Sequence, residues 1–401
     1  MTEKVYILDA MRTPFGSFGG SLKDIEVDTL AGMLIKGIIE RNNIQPDQID
    51  EVHLGCCVMS VCKDVTGSVI ARQALLKAGL PVGVLSSTID KACCSATEAI
   101  RRGYDTIRLR EAEIVIAGGA EVMSRIPHIA RNLRWGMKLA NFVLEDPIFP
   151  LQYKDFNPLA VDAGEVGLEY GESREDLDVW AFTSQQRFQE AEKAGKFQEE
   201  IMPVESKDKK NNTFVFAKDE FPKANTTLEG LKKLLPIYGS PTVTAGNAPG
   251  LNDGAAALIL ISESKLRELG LHPLAEIVAI ACMADKPKYI ATVPGQAIIK
   301  GLKMLNLSVD DLKRIEINEA FAAVPLVSSK ILGDFDEGKV KEIREKLNSN
   351  GGAIAIGHPV GASGARLVGT LAYELRRLGG GYGAAAICGG LAQGDAVIIK
   401  V

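Results

Sequence analysis

Four histidines, two tryptophans and no surplus of positive charge close off several common chemistries for this 401-residue chain. The 46 Lys and Arg residues face 51 Asp and Glu, a net charge of −5 with a pI near 5.6. No basic excess exists to neutralise a phosphate backbone, so nucleic acid is not an expected partner and an anionic ligand must be held by local charge. No run approaches the ~18 uncharged apolar residues that span a bilayer, and no membrane contact is expected. The opening Met1-Thr-Glu-Lys-Val-Tyr-Ile-Leu-Asp has neither the charged and apolar regions of a secretory leader nor an Arg-rich amphipathic pattern. It reads as a first strand, and a cytoplasmic location is expected.

The seven cysteines, at positions 56, 57, 62, 93, 94, 282 and 388, lack the paired C-x-x-C spacing of a zinc site and the density of a secreted disulfide scaffold. No metal is expected. Also missing are G-x-x-x-x-G-K-[ST] and G-x-S-x-G, and no proper strand leads into Gly361-Ala-Ser-Gly. Nucleotide hydrolysis, Rossmann-type dinucleotide binding and a serine-hydrolase elbow are therefore poorly supported.

What is present is an apolar fraction of 46% with 24% charged residues, the balance of an ordinary folded protein with a sizeable core. The 40 glycines are about a tenth of the chain, against a usual ~7%. Short apolar runs at 5–8, 52–54, 114–117 and 384–387 alternate with amphipathic stretches such as 29–41, where Leu30, Met33, Leu34, Gly37 and Ile38 share one helical face. This rhythm predicts an α/β fold, and it recurs. Asn43–Leu54 aligns without gaps on Asn306–Ile317, Ser95–Ile100 on Ser363–Val368, and Ile116–Gly119 on Ile387–Gly390. A kept order with a slowly growing offset is the signature of a duplicated unit with loop insertions. Between the copies, residues from about 120 to 250 contain a charged helix predicted over 174–196 and a polar run at 205–213, and read as an inserted loop domain.

Reactive side chains gather beside glycine in four segments: Asp90-Lys-Ala-Cys-Cys-Ser, Asn318-Glu-Ala-Phe, Gly357-His-Pro-Val-Gly-Ala-Ser-Gly, and Ile387-Cys-Gly-Gly. Most buried cysteines only pack. Cys93, however, sits at a predicted strand-to-helix junction, where free N–H groups and the helix dipole favour a thiolate. The matching junction of the other half lies just beyond His358, so a pseudo-twofold would bring Cys93 and His358 toward one centre. His53 belongs to a strand, His128 to a surface loop and His272 to a connection, whereas Gly357 and Pro359 fix a turn that aims His358. Cys388 precedes Gly389-Gly390, whose bare backbone can approach a substrate; the plainer alternative is a tight turn, as for Gly118-Gly119. Paired carboxylates such as Glu111 and Glu113 read as solvated helix faces.

Taken together, Arg12-Thr-Pro-Phe-Gly, Ala71-Arg-Gln, Cys93, Gly118-Gly-Ala-Glu-Val-Met-Ser, Val243-Thr-Ala-Gly-Asn-Ala, Asn252-Asp-Gly-Ala, Asn318-Glu-Ala-Phe, Gly357-His-Pro and Cys388-Gly-Gly resemble the thiolase family over nearly the whole chain. The resemblance implies a duplicated, five-layered α-β-α-β-α fold with an inserted loop domain that holds coenzyme A, in a homodimer or homotetramer. It implies thiolytic cleavage of a 3-oxoacyl-CoA, or the reverse Claisen condensation, with coenzyme A as co-substrate and no tightly bound cofactor. In these terms Cys93 is the acyl-accepting nucleophile, His358 takes its proton and Cys388 is the second acid/base. Asn318 acts through a water with His358 on the thioester oxygen, and the N–H groups of Cys93 and Gly390 form a second oxyanion hole. Lys223 is implied near the adenosine phosphates and Ala248 near the pantetheine, with Pro249 and Leu159 as further coenzyme A contacts.

Departures from the family pattern matter as well. Pro158-Leu159-Ala160 stands where the family has His-Met-Gly, and Pro249 where biosynthetic members often have Ser. Asp90, Cys94 and Ala96 replace Asn, Gly and Gly, Ile290 replaces Met, and Leu391-Ala392 interrupts a glycine run. These changes suggest an acyl group bulkier or more polar than acetoacetyl, such as an aromatic or dicarboxylic one. An ordinary acetoacetyl-CoA thiolase, a non-condensing acyl-CoA-binding subunit with a small partner protein, and a ketoacyl synthase are the alternatives; the Cys388 and single-His pattern disfavours the last. The expected division is 1–120 with 250–275, 121–249 as the loop domain, and 276–401.

Overall fold

A computed structural model describes residues 3–57, 68–139, 141–208 and 210–401; Cys62 lies outside the described residues. Nine strands form the path of one mixed sheet: β1 (Val5–Arg12), β2 (Glu51–Gly55), β3 (Leu85–Ile89), β4 (Ile114–Val122), β5 (Asn252–Ser262), β6 (Ala275–Ala284), β7 (Leu312–Ile317), β8 (Tyr382–Gly389) and β9 (Gln393–Lys400). Their order is β7-β8-β9-β6-β1-β5-β4-β2-β3, and the short pair Gly16–Ser17 joins β5 off this path.

The repeat reappears as strand pairing. In the first half β1 meets β5 and β5 meets β4 antiparallel, while β4–β2 and β2–β3 are parallel. In the second half β6–β9 and β9–β8 are antiparallel and β8–β7 is parallel, with a lone parallel bridge from Ile315 to Leu347 in the place of β3. The two leading strands, β1 and β6, meet antiparallel at Val5–Ile7 and Ala275–Ile277, as a local twofold requires.

Eight of the twelve α-helices among the described residues matter most for the site: α1 (Val27–Arg41), α2 (Ile70–Lys77), α3 (Ser95–Arg108), α4 (Leu159–Glu169), α5 (Arg174–Lys193), α6 (Val293–Met304), α7 (Ala323–Leu332) and α8 (Ser363–Arg377). One apolar cluster joins α1 and α2 to the outer face of the first half, a second joins α6 and α7 to the outer face of the other, and a third holds α3 and α8 between residues of both halves. These are the five layers. Because α8 lies in the middle layer it is buried from Ser363 to Leu375, and small residues let its neighbours approach. The strands are covered on both faces, which is why β5 reads Ala-Ala-Ala-Leu-Ile-Leu-Ile without alternation.

Residues 123–251 add no strand to this sheet among those described. Arg12 of β1 ties them down: its Nε donates to Glu200 at 2.6 Å and its two Nη atoms to Asp219 at 2.7 and 2.9 Å. Three expectations change. The polar run at 205–213 is part of a hairpin, Val204–Lys207 with Thr213–Phe216. The charged helix ends at Lys193. Gly118-Gly119 is not a turn but strand β4, and glycine is needed because a Cβ on Gly119 would stand 1.9 Å from the Gly361 carbonyl oxygen. No helix among the described residues is long and apolar enough to cross a membrane.

Candidate active site

Chain reversal between β3 and α3 builds the setting of Cys93. Ala92 takes φ +49°, and its carbonyl accepts from Ser95 Oγ at 2.6 Å and from the Cys57 thiol at 2.8 Å. Ser95 Oγ also accepts the Lys91 N–H at 2.8 Å, so the turn carrying Cys93 is braced from within α3. Beneath it, a Cβ on Gly389 would lie 2.9 Å from Cys94 Sγ and 3.0 Å from the Lys91 carbonyl oxygen. The second half thus closes against this turn.

His358 enters from that second half. Gly357 takes φ +107°, close against Asn252, and the His358 N–H donates to Asn252 Oδ1 at 2.9 Å. Its Nδ1 lies 2.6 Å from Ser363 Oγ, which itself donates to the Pro359 carbonyl at 2.9 Å. A hydroxyl whose proton is already engaged must accept, so Nδ1 carries the ring proton and Nε2 presents its lone pair. That Nε2 is 3.2 Å from Cys93 Sγ and 3.4 Å from Asn318 Nδ2. Burial pushes the Cys93 thiol up to about 12; burial, with the charge of Arg366, pushes His358 down to about 3. The resting pair is therefore thiol and neutral imidazole. This corrects the thiolate expected from the helix dipole, because desolvation of the sulfur outweighs it.

Asn318 is buried after β7 with its N–H on the Ala386 carbonyl at 2.9 Å, and its Oδ1 has no partner among the described residues. Glu319, next to it, accepts from Trp180 Nε1 at 2.9 Å, Ser184 Oγ at 2.8 Å, Asn348 Nδ2 at 3.0 Å and the Ile354 N–H at 3.0 Å. Helix α5 of the inserted segment thereby holds the Asn318 loop. Cys388 is the penultimate residue of β8, buried, with its thiol raised well above the free-cysteine range by burial and by the nearby Cys93 sulfur. Gly390 follows, and a Cβ there would meet the Tyr153 hydroxyl at 1.9 Å.

Cys93, His358, Asn318 and Cys388, scattered in sequence, thus share one centre. Lys223 and Ala248 line a different cleft of about 420 Å³ with Gln185, Phe221 and Gly246, and Lys223 Nζ stands 5.1 Å from the Phe221 ring centre. Pro249 and Leu159, the first residue of α4, do not line it. A ligand with an anionic end and a slim neutral arm fits such a cleft. Glu98, Cys282 and Asp395 cluster at metal-ligand spacing, but Lys91 Nζ sits among them at 2.9 Å from Glu98 and 2.8 Å from Asp395 and supplies the positive charge.

Sequence reasoning missed Ser363 as the partner of His358, Glu319 as the anchor of Asn318, and Tyr153. The first two lie inside motifs that it singled out; Tyr153 lies in an irregular loop with no periodic signal. It also overestimated Cys94 and Ala96. Both are fully buried in the central core, with Cys94 Sγ directed to the Ile387 carbonyl at 3.5 Å, so neither shapes a substrate cavity.

Residues 5–264 match the family model "Thiolase, N-terminal domain" and residues 271–401 match "Thiolase, C-terminal domain". The chain is 41% identical to an acetyl-CoA acetyltransferase of Allochromatium vinosum, with all of each chain covered. It is 41% identical to a beta-ketoadipyl-CoA thiolase of Pseudomonas aeruginosa, again over all of both. The crystal structure of human mitochondrial 3-ketoacyl-CoA thiolase superposes with a TM-score of 0.93 at 38% identity, covering 99% of each chain. Matched in both halves and along whole relatives, the chain belongs to the thiolase family, acyltransferases that use coenzyme A as co-substrate.

Proposed function

We propose that this thiolase cleaves a 3-oxoacyl-CoA with a polar acyl group through an acyl-enzyme on Cys93. The observation that carries the mechanism is the 3.2 Å approach of Cys93 Sγ to the lone-pair nitrogen of His358. Nε2 takes the thiol proton as sulfur attacks the C3 ketone. The N–H groups of Cys93 and Gly390 receive the developing oxyanion, and losing one such donor typically costs about 2.7–4 kcal/mol in the barrier. As the C2–C3 bond breaks, Cys388 protonates the departing acetyl-CoA carbon, while His358 and a water held by Asn318 Oδ1 bear the enolate oxygen's charge. The Cys388 thiolate then accepts the proton of an incoming coenzyme A thiol, which takes the acyl group from Cys93. A structure of human mitochondrial 3-ketoacyl-CoA thiolase in complex with CoA, 37% identical, supports a coenzyme A site here, and Lys223 and Ala248 are the residues we assign to it.

For the acyl group, Asp90 and the Pro158-Leu159 departure support a polar, non-acetoacetyl substrate. Relatives named acetyl-CoA acetyltransferase and beta-ketoadipyl-CoA thiolase stand at equal identity, which keeps acetoacetyl-CoA as the second reading. The reading extends to the division 1–120 with 250–275, 121–249 and 276–401, and to a cytoplasmic homodimer or homotetramer. Two features favour self-association: β3 is an open sheet edge, and Trp135 is 87% exposed among exposed Leu133, Met137, Leu139 and Phe142. The test is Cys93→Ser with coenzyme A and acetoacetyl-CoA as the reference substrate. Thiolysis should fall at least ~10³-fold and the acyl adduct should vanish from the intact mass; full activity in the variant would refute the mechanism.

A further inference from the structure

We propose that Lys91 is a positioning residue: paired with Asp395, it clasps the turn that carries Cys93 to the hairpin that carries Cys388 and so sets the approach of the two thiols. The inference deepens the proposed function and rests on its assignment of Cys93 and Cys388. These side chains come from opposite halves, and little polar contact joins their segments. No backbone hydrogen bond runs between residues 90–94 and 387–395 among the described residues. The turn meets the hairpin through bare and soft surface instead. Against Gly389 lie the Lys91 carbonyl oxygen and Cys94 Sγ, 3.0 and 2.9 Å from where a Cβ would stand. Cys94 Sγ, a weak donor, adds a contact of 3.5 Å to the Ile387 carbonyl.

Charge supplies the register that the backbone does not. Lys91 Nζ donates to Asp395 Oδ1 at 2.8 Å, reaching from two residues before Cys93 to β9. Across the hairpin Asp395 faces Ile387, and its neighbour Gly394 faces Cys388, so the bond ends one residue from the rung of the second thiol. At the near end the Lys91 N–H donates to Ser95 Oγ at 2.8 Å, and the Lys91 carbonyl accepts the Cys94 N–H at 3.1 Å. Backbone on both sides of Cys93 therefore moves with Lys91. Asp395 is buried, its other oxygen lies 2.9 Å from Thr97 Oγ1 of α3, and Lys91 is its one ion-pair partner among the described residues. Glu98 is different: it sits on α3, in the same half as the turn, and has Arg101 Nε at 3.0 Å besides Lys91 at 2.9 Å. Only the bond to Asp395 crosses between the halves. Breaking it frees the turn to shift along the hairpin, and misplacing a reacting group by about 1 Å can cost ~10²-fold in rate.

The test is a double-mutant cycle on coenzyme A-dependent cleavage of acetoacetyl-CoA and 3-oxohexanoyl-CoA. Asp395→Asn should lower kcat about thirty- to a hundredfold with KM changed less than about threefold. Lys91→Met should do the same, and the double variant should lose no more than either alone. Should Lys91→Met fold poorly, Lys91→Gln takes its place in the cycle. Glu98→Gln leaves the link between the halves intact and should stay within about threefold of the unmodified kcat. Urea midpoints are read in parallel, because a merely structural pair would lower stability and leave kcat per folded molecule unmoved. That result, additive losses in the double variant, or a loss in Glu98→Gln equal to that in Asp395→Asn would overturn the proposal. An unmodified enzyme that cleaves neither ester would instead overturn the thiolase reading beneath it.

Discussion

Burial and reactivity pull in opposite directions at Cys93. A thiol raised to about 12 is almost wholly protonated at neutral pH, so in the proposed mechanism its nucleophilicity comes from transfer to His358 at the moment of attack. Without substrate, alkylation of Cys93 by iodoacetamide should keep rising through pH 9–10, beyond the range of an ordinary cysteine. Tryptic mapping of the adduct would check this, and a plateau near pH 8.5 would contradict it. Ser363 holds the tautomer that makes the transfer possible. Ser363→Ala should lower kcat by about ten- to a hundredfold, ~1.4–3 kcal/mol, with KM little changed in steady-state thiolysis. Cys93 and His358 were legible at this scale because turn-forming glycine and proline mark them locally. Tyr153 was not, since nothing in Leu151-Gln-Tyr-Lys says where an irregular loop returns.

Secondary elements bring the two halves to the same point. Helices α3 and α8 start at Ser95 and Ser363, the paired positions of the repeat, and each begins beside one residue of the proposed pair, Cys93 or His358. Their closeness depends on bare backbone at the junction. Gly119→Ala would set a methyl 1.9 Å from the Gly361 carbonyl oxygen and 2.7 Å from that of Gly55, backbone atoms that cannot swing aside. Overpacking of this kind costs about 1–3 kcal/mol, and the loss should show in urea unfolding together with a fall in kcat, because Gly361 follows the His358 turn. Glu319 does the same for the loop before α7. Glu319→Gln would point an amide at groups that already donate, so a loss of about 2–4 kcal/mol is expected by the same measurement. The repeat made the helix pairing readable in advance; the debt of the Asn318 loop to α5 was not, because the α5 donors to Glu319 lie 135 and 139 residues away in sequence.

Across the whole molecule, a neutral histidine enclosed at the meeting of two halves ties stability to pH. In the unfolded chain His358 takes up a proton as pH falls through its ordinary 6.5, whereas in the fold it resists protonation until about 3. Its contribution is therefore complete above 6.5 and drains away as pH falls toward 3. Between pH 7 and 4 the unmodified protein should lose stability more steeply than His358→Gln, as read from urea midpoints; parallel curves would show that the imidazole is not enclosed as described. By itself, the sequence determined the α/β layering and the internal repeat, and it singled out Cys93, His358, Asn318 and Cys388 as candidates, because periodicity, glycine placement and residue chemistry are local properties. Only the tertiary structure decided that Gly118-Gly119 runs as strand, that Cys94 and Ala96 face the core, that Cys93 rests as a thiol, and that Tyr153 covers Gly390. Each of these turns on which distant backbone or side chain supplies the neighbouring surface and on how much water that contact removes.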